Sequence, residues 1–101
     1  MIVRIWRGRA ALANPSGYPR HFIDTVLPQL KRREGFLGAA LLKQQRPHDI
    51  EYLVETRWAS MDAIRAFAGA NIDRAVVEPE GQAALVDYDQ RVQHYDVVYE
   101  T

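Results

Sequence analysis

Apolar and polar residues alternate at the start of the chain, which predicts a first β-strand over residues 1 to 7. Its even-numbered residues, Ile2, Arg4 and Trp6, share one face, and the odd-numbered residues share the other. Both faces carry apolar groups, so we expect both to be covered.

The next pattern has a helical period. Pro28 lies inside it, so we expect the helix to bend or weaken there, and Gly35 is expected to end it. The apolar residues follow at four-residue steps: Tyr18, Phe22, Val26 and Leu30.

Two further apolar runs predict a β-hairpin across the loop at residues 46–49. The first run, residues 36–42, is almost continuously apolar and predicts a strand buried on both faces. The second run, residues 50–58, alternates. One of its faces is predicted to carry these residues: Ile50, Tyr52, Val54, Thr56 and Trp58.

The last third of the chain predicts a capped helix, a weaker helical stretch and a closing strand. Ser60 is the expected N-cap and Gly69 the expected end of the helix. A short helical stretch is predicted over residues 71–77, a turn over residues 78–81 and a strand over residues 92–99. The order βαββαβ predicts an α+β fold with an antiparallel, ferredoxin-like sheet.

Composition narrows the class of protein. A chain of 101 residues, 48% apolar and 26% charged, indicates one domain over residues 1–101. Lysine plus arginine equals aspartate plus glutamate at 13 each, which argues against nucleic acid or membrane partners. Without cysteine, a signal-peptide pattern or a membrane-length apolar run, we expect a cytoplasmic protein. A domain of this size buries only about two thirds of its surface, which favours a homodimer.

No local catalytic motif is present, and the three histidines are too far apart in sequence to indicate a metal site. Any site must be assembled in space. Trp58 and Trp6 could stack against an aromatic ligand, or they could simply fill the core. Phe22 and Phe67, on the apolar faces of the two helices, are further candidates for contact with a ligand.

Polar candidates also have two interpretations each. His94 could be a general base, or a half-buried histidine hydrogen-bonded to a neighbour. Tyr18 and His21 could line a pocket mouth, or could belong to the core and the solvent face respectively. Arg4 and Arg57 could face an anionic or phenolate oxygen, or form interface salt bridges, Arg57 with Glu55.

The strand-to-helix run from Glu55 to Phe67, with Trp58 at the junction, resembles the antibiotic biosynthesis monooxygenase-like family. The Gly35-Phe36 step and the final His94-Tyr95 strand extend this resemblance over nearly the whole chain. It implies a dimeric α+β barrel formed through the sheet faces, with a ligand cavity between helices and sheet in each subunit.

The resemblance implies one of two activities. Haem-degrading members use an Asn on the first strand, a Trp in the second helix and a His after it, where this chain has Arg7 (or Trp6), Phe67 and Val77. Haem degradation is therefore not expected. The oxygenase branch implies a cofactor-independent monooxygenase acting on an aromatic or polycyclic phenol, with no metal or other cofactor. A non-catalytic dimer that binds a small hydrophobic molecule, or an isomerase, is the competing interpretation.

Overall fold

The computed structural model describes residues 1–101 and shows an antiparallel sheet with helices against one face. The helix α1 covers residues 17–31, and the α+β class is as predicted. The remaining elements are β1 (Ile2–Ala10), β2 (Phe36–Gln45), β3 (Ile50–Trp58), α2 (Met61–Ala68), α3 (Pro79–Ala83), β4 (Asp87–Tyr88) and β5 (Gln93–Asp96).

The sheet has the strand order expected of a ferredoxin-like unit. β1 lies between β3 and the two short strands β4 and β5, and β2 forms the edge beyond β3. β5 pairs with residues 2–5 of β1, whereas β4 pairs with Gly8 and Arg9. The predicted closing strand over residues 92–99 is therefore too long. β5 ends at Asp96, and Tyr99 lies beyond the sheet with 81% of its surface exposed.

Helix α1 is distorted next to its proline. It consists of an α-helical segment, Gly17–His21, a π-helical turn, Phe22–Val26, and a second α-helical segment, Leu27–Lys31. Pro28 has no N–H and so cannot donate to a carbonyl in the preceding turn. The N–H of Leu27 donates to the carbonyl of Phe22, five residues earlier. The perturbation expected at Pro28 is thus present in the turn before it.

The inner face of the sheet carries the core. Every predicted inward residue of β3 is buried, as are Tyr18, Phe22 and Leu30 of the α1 stripe. Helix α2 is capped as predicted, since the Ser60 Oγ accepts a hydrogen bond from the Ala63 N–H at 3.2 Å. The apolar side chains between sheet and helices form two clusters, a larger one that contains Trp6 and Tyr52 and a smaller one around Trp58, and Val26 packs against both.

Within one chain β2 is buried on one face only, because Leu37 and Leu42 remain 56% and 47% exposed on the side away from the helices. The helical prediction for residues 71–77 is wrong. Their backbone pairs with residues 90–92 instead, through the hydrogen bonds Ala75 N–H to Gln90 O and Val92 N–H to Asp73 O. Tertiary pairing therefore overrides the weak helical propensity of this segment.

The segment predicted as a turn, residues 78–81, contains the start of helix α3. Pro79 is compatible with this start because the first turn of a helix does not need its N–H. Gly81 then lies against His21, since a Cβ at this position would be 3.1 Å from the His21 Nε2. Helix α3 therefore packs closely against α1 at this glycine.

We expect Gly35→Ala to destabilise the protein by about 1–3 kcal/mol, because the position has φ +83° and an added Cβ would be 2.6 Å from the Ala63 Cβ. Urea unfolding measures this loss. Gly69→Ala, at φ +86° but in open space, should show the backbone strain alone. Gly38→Ala has neither problem and should be near neutral. A Gly35→Ala protein as stable as Gly38→Ala would contradict the expected strain.

Candidate functional site

A cavity of about 150 Å³ lies between the inner sheet face and the helices. A cavity of about this volume holds one benzene-sized ring. Arg4, Trp6 and Thr56 line it from the sheet, and Tyr18 and His21 line it from α1. Most of the remaining wall is aliphatic, so the few polar groups would fix the orientation of a ligand.

Arg4 is the charged group at the centre of this wall. Its side chain points inward from β1, and the residue is only 5% exposed. Its guanidinium donates to the carbonyls of Ile72 and Arg74, at 2.6 Å and 3.0 Å. Burial lowers the pKa of Arg4 to about 10, and the nearby Asp73 charge opposes this shift. Arg4 therefore remains a cation at neutral pH, held rigidly at the cavity wall.

His94 lies directly opposite Arg4 in the β1–β5 pairing. The Arg4 Nη1 is 3.0 Å from the His94 Nε2. An arginine can only donate, so this nitrogen accepts, and the neutral ring carries its proton on Nδ1. Nδ1 is 3.6 Å from the Asp73 Oδ1. His94 lines a separate shallow groove and does not line the cavity. It therefore contacts Arg4 but would not contact a ligand in the cavity.

We expect stability to fall as the pH drops from about 7 to below 6. Burial, and then the charge of Arg4, lower the pKa of His94 below its ordinary value of about 6.5. The unfolded chain therefore takes up a proton before the folded chain does, so the stabilisation is complete above pH 6.5 and is lost below it. Urea unfolding between pH 5 and 8 measures this slope. His94→Gln keeps an acceptor for Arg4 and should reduce the dependence of the unfolding free energy on pH. An unchanged pH dependence in this variant would show that His94 is not its cause.

Phe67 forms the aromatic wall beside Arg4. Its ring centroid is 5.7 Å from the Arg4 guanidinium carbon and 5.6 Å from that of Arg33, which also lines the cavity. The Trp58 ring stacks on Phe67 with the ring centroids 5.3 Å apart. Trp58 is fully buried, its Nε1 donates to the Thr56 Oγ1 at 2.9 Å, and it does not line the cavity. The expected contact of Trp58 with a ligand is thus replaced by packing against Phe67.

Tyr18 and His21 face the cavity from the first turns of α1. The Tyr18 ring lies 5.7 Å from Trp6 and 6.0 Å from His21. Burial raises the pKa of the Tyr18 hydroxyl, which keeps it protonated and able to donate. The His21 Nδ1 is 3.8 Å from the Glu80 Oε2, which is within ion-pair distance but too long for a hydrogen bond.

The structure thus brings together only part of the predicted site. Phe22 is buried in the core but does not line the cavity. Arg57 lies on the opposite sheet face, because side chains alternate along β3 and the next residue, Trp58, faces inward. On that outer face the Arg57 Nε donates a hydrogen bond to the Glu55 Oε1 at 3.0 Å. The predicted residues that line the cavity are Arg4, Trp6, Tyr18, His21 and Phe67.

Sequence reasoning missed several polar residues of the wall: Gln29, Arg33, Thr56 and Glu78. Arg33 belongs to a basic run at the end of α1, which is typical of a solvated helix end. Thr56 could have been found, because it lies on the predicted inner face of β3 between Val54 and Trp58. Gln29 and Glu78 carry no local signal.

Solved structures with the same architecture match nearly the whole chain. A candidate antibiotic biosynthesis monooxygenase from Deinococcus radiodurans is 12% identical, with TM-score 0.64 over 100% of this chain and 96% of its own. SnoaB, a cofactor-independent oxygenase from Streptomyces nogalater, is 22% identical, with TM-score 0.63 over 98% and 95%. The chain has the fold of the antibiotic biosynthesis monooxygenase-like proteins.

The same fold also includes MhuD, a haem degrader from Mycobacterium tuberculosis whose structure holds two haems in its active site. It is 20% identical, with TM-score 0.64 over 100% of this chain and 99% of its own. No family model matches the sequence, and no curated protein matches it. No helix of this antibiotic biosynthesis monooxygenase-like fold is long and apolar enough to cross a membrane.

Proposed function

We propose that the protein is a cofactor-independent monooxygenase that oxidises a small phenolic molecule in the cavity. The observation that carries this proposal is Arg4, a buried cation fixed at the wall of a mainly apolar cavity. Such a group strongly favours a phenolate over a neutral phenol, because a charge in a dry site is weakly screened. The likeness to SnoaB in fold is consistent with this chemistry.

Different residues of the cavity would bind the substrate, accept its proton and stabilise the anion. The substrate ring lies between the walls formed by Trp6 and Phe67, with its phenolic oxygen at Arg4. His21 accepts the phenolic proton at Nε2, and the Tyr18 hydroxyl donates to the resulting anion. His94, through its hydrogen bond to Arg4, acts as a positioning residue.

The electron-rich anion then reduces oxygen by itself. For a phenol with an activated methylene the balance is R₂CH₂ + O₂ → R₂C=O + H₂O. The methylene carbon loses four electrons, one oxygen atom enters the product, and the other leaves as water with both methylene hydrogens. No external reductant is needed, so the protein has to supply only binding, deprotonation and stabilisation of the anion.

The size of the cavity limits the substrate. A volume of about 150 Å³ suits one aromatic ring. A polycyclic phenol would therefore extend outward past the exposed Arg33 and Gln29, which complete the wall at the end of α1. We propose that the reacting ring is the inner one, beside Arg4.

Two positions of the cavity and its volume argue against haem as the ligand. The positions that the family resemblance assigns to the Trp and His of the haem degraders hold Phe67 and Val77, and both line the cavity. Val77 cannot ligate iron, and Phe67 has no N–H. A porphyrin is also much larger than the one-ring volume of the cavity.

We further propose that a second copy of the chain covers the outer sheet face, as in a dimeric barrel. Leu37, Leu42 and Tyr95 are each about half exposed there, at 56%, 47% and 52%. Val3 and Ile5 of β1 share that face and are only partly buried. Burying this face in a homodimer would remove these apolar side chains from water. Light scattering at micromolar concentration tests it, and a monomer would contradict it.

Oxygen uptake with an anthrone-type phenol in the presence of a chelator tests the activity. We expect enzyme-dependent consumption of one O₂ per ketone formed. A thermal-shift measurement with the same phenol distinguishes an enzyme from a non-catalytic binding protein. A ligand at a hundred times its dissociation constant stabilises the folded protein by about 2.7 kcal/mol, which raises the melting temperature by about 10 °C or more. A shift without oxygen uptake would favour the non-catalytic binding protein. The absence of both oxygen uptake and a thermal shift would reject the phenol as the ligand.

A further inference from the structure

A second pocket, lined only by polar residues, lies where residues 71–74 meet residues 90–91. Its volume is about 280 Å³, and its walls are Asn71, Arg74, Gln90 and Arg91. Arg74 and Arg91 are directly opposite each other in an antiparallel bridge. Their side chains therefore leave the backbone on the same side, with Cβ atoms about 5 Å apart. Two like charges in this position repel each other.

Neither of these arginines has a carboxylate within ion-pair distance. Four other arginines do form ion pairs with carboxylates: Arg9, Arg46, Arg57 and Arg65. Asp73 lies in an adjoining groove, where its Oδ1 is 3.6 Å from the His94 Nδ1. The chain as a whole has zero net charge, so this local excess of positive charge is not a general property of its surface.

Two backbone hydrogen bonds fix the main chain on which these two exposed arginines lie. The Ala75 N–H donates to the Gln90 carbonyl at 2.9 Å, and the Val92 N–H donates to the Asp73 carbonyl at 2.8 Å. The side-chain amides of Asn71 and Gln90 add two neutral donor groups beside the guanidinium groups. Paired guanidinium forks with amide donors are suited to the tetrahedral oxygens of a phosphate.

We propose that this pocket binds a phosphate oxyanion, as the free ion or as a monoester. The site is separate from the phenol cavity but shares a residue with its support, because the Arg74 carbonyl accepts a hydrogen bond from Arg4. A bound phosphate would therefore tie down the segment that holds Arg4. The proposal does not depend on the oxygenase activity, since binding is measured without a phenol.

Calorimetric or NMR titration at constant ionic strength and pH 7.5 tests this, with inorganic phosphate and ethyl phosphate as probes. We expect saturable binding, weakened roughly tenfold or more by Arg74→Gln and by Arg91→Gln, since each removes a charge-assisted pair of hydrogen bonds. Arg32→Gln is the matched control: it removes the same charge from an exposed arginine beyond α1 and should change affinity less than twofold.

Tighter binding of ethyl phosphate would identify a phosphate ester as the ligand, and equal or tighter binding of inorganic phosphate would identify the free ion. Titration without saturation would overturn the proposal. Equal weakening by Arg32→Gln would also overturn it, because binding would then follow net charge only. Circular dichroism of each variant confirms that a loss of binding is not a loss of fold.

Discussion

Arg4→Met lowers kcat/KM for the phenolic substrate at least 100-fold, because it removes the buried cation that stabilises the developing anion. Loss of one such donor typically costs a factor of about 10² to 10³. Steady-state oxygen uptake measures the effect. The exposed Arg65, paired with Asp62 on the surface of α2, supplies the control variant Arg65→Met, which should keep the activity within twofold.

A binding measurement separates this role of Arg4 from a purely structural one. 4-Nitrophenol fits a one-ring cavity, and its absorbance reports ionisation. The native protein should lower the apparent pKa of the bound phenol, whereas Arg4→Met should not. Arg4→Lys keeps the charge but cannot donate to the Ile72 and Arg74 carbonyls and to His94 at the same time. It should therefore lower the pKa of the bound phenol by an intermediate amount. If folded Arg4→Met lowers the pKa of bound 4-nitrophenol as much as the native protein does, Arg4 is excluded as the anion-binding group.

Trp58→Ala is expected to cost about 3–5 kcal/mol of unfolding free energy. The side chain is fully buried, stacks on Phe67 at 5.3 Å and meets Phe36 edge-on at 5.4 Å. Small domains have only about 5–15 kcal/mol of stability in total, so the melting temperature should fall by about 15 °C or more. Urea and thermal unfolding followed by circular dichroism measure the loss.

Two further variants serve as controls for the stability loss of Trp58→Ala. Tyr99→Ala removes an aromatic ring that is 81% exposed, and should change stability by about 0.5 kcal/mol or less. Trp58→Phe keeps a ring against Phe67 but loses the hydrogen bond to Thr56, so an intermediate loss is expected. A Trp58→Phe protein with native stability but much weaker phenol binding would favour direct contact of Trp58 with the ligand.

The strands and the two main helices were predictable because their signals are local. Alternation along β3 requires only that one face be buried, and all its predicted inward residues are buried. The Ser60 cap and the break at Gly69 depend on hydrogen bonds and dihedral angles within a few residues. The segment of residues 71–83 was mispredicted because its conformation depends on contacts with residues 90–92 and with His21.

The candidate site shows the same division. Alternation placed Arg4 and Trp6 on one face of β1 from the sequence alone, and both line the cavity. The same rule, applied to β3, puts Arg57 on the face opposite Trp58, so the two side chains cannot contact one ligand on the inner face. Arg57 bonds Glu55 on the outer face instead.

The order of the main elements, β1-α1-β2-β3-α2-β5, and the inward faces of the strands follow from periodicities of two and 3.6 residues along the chain. Folding of the whole chain is needed to bring His94 to Arg4, to pack Trp58 against Phe67 and to turn His21 toward the cavity. Residues 90 positions apart meet through strand pairing, so the distances between their side chains are fixed by the packed sheet and helices and not by any local pattern.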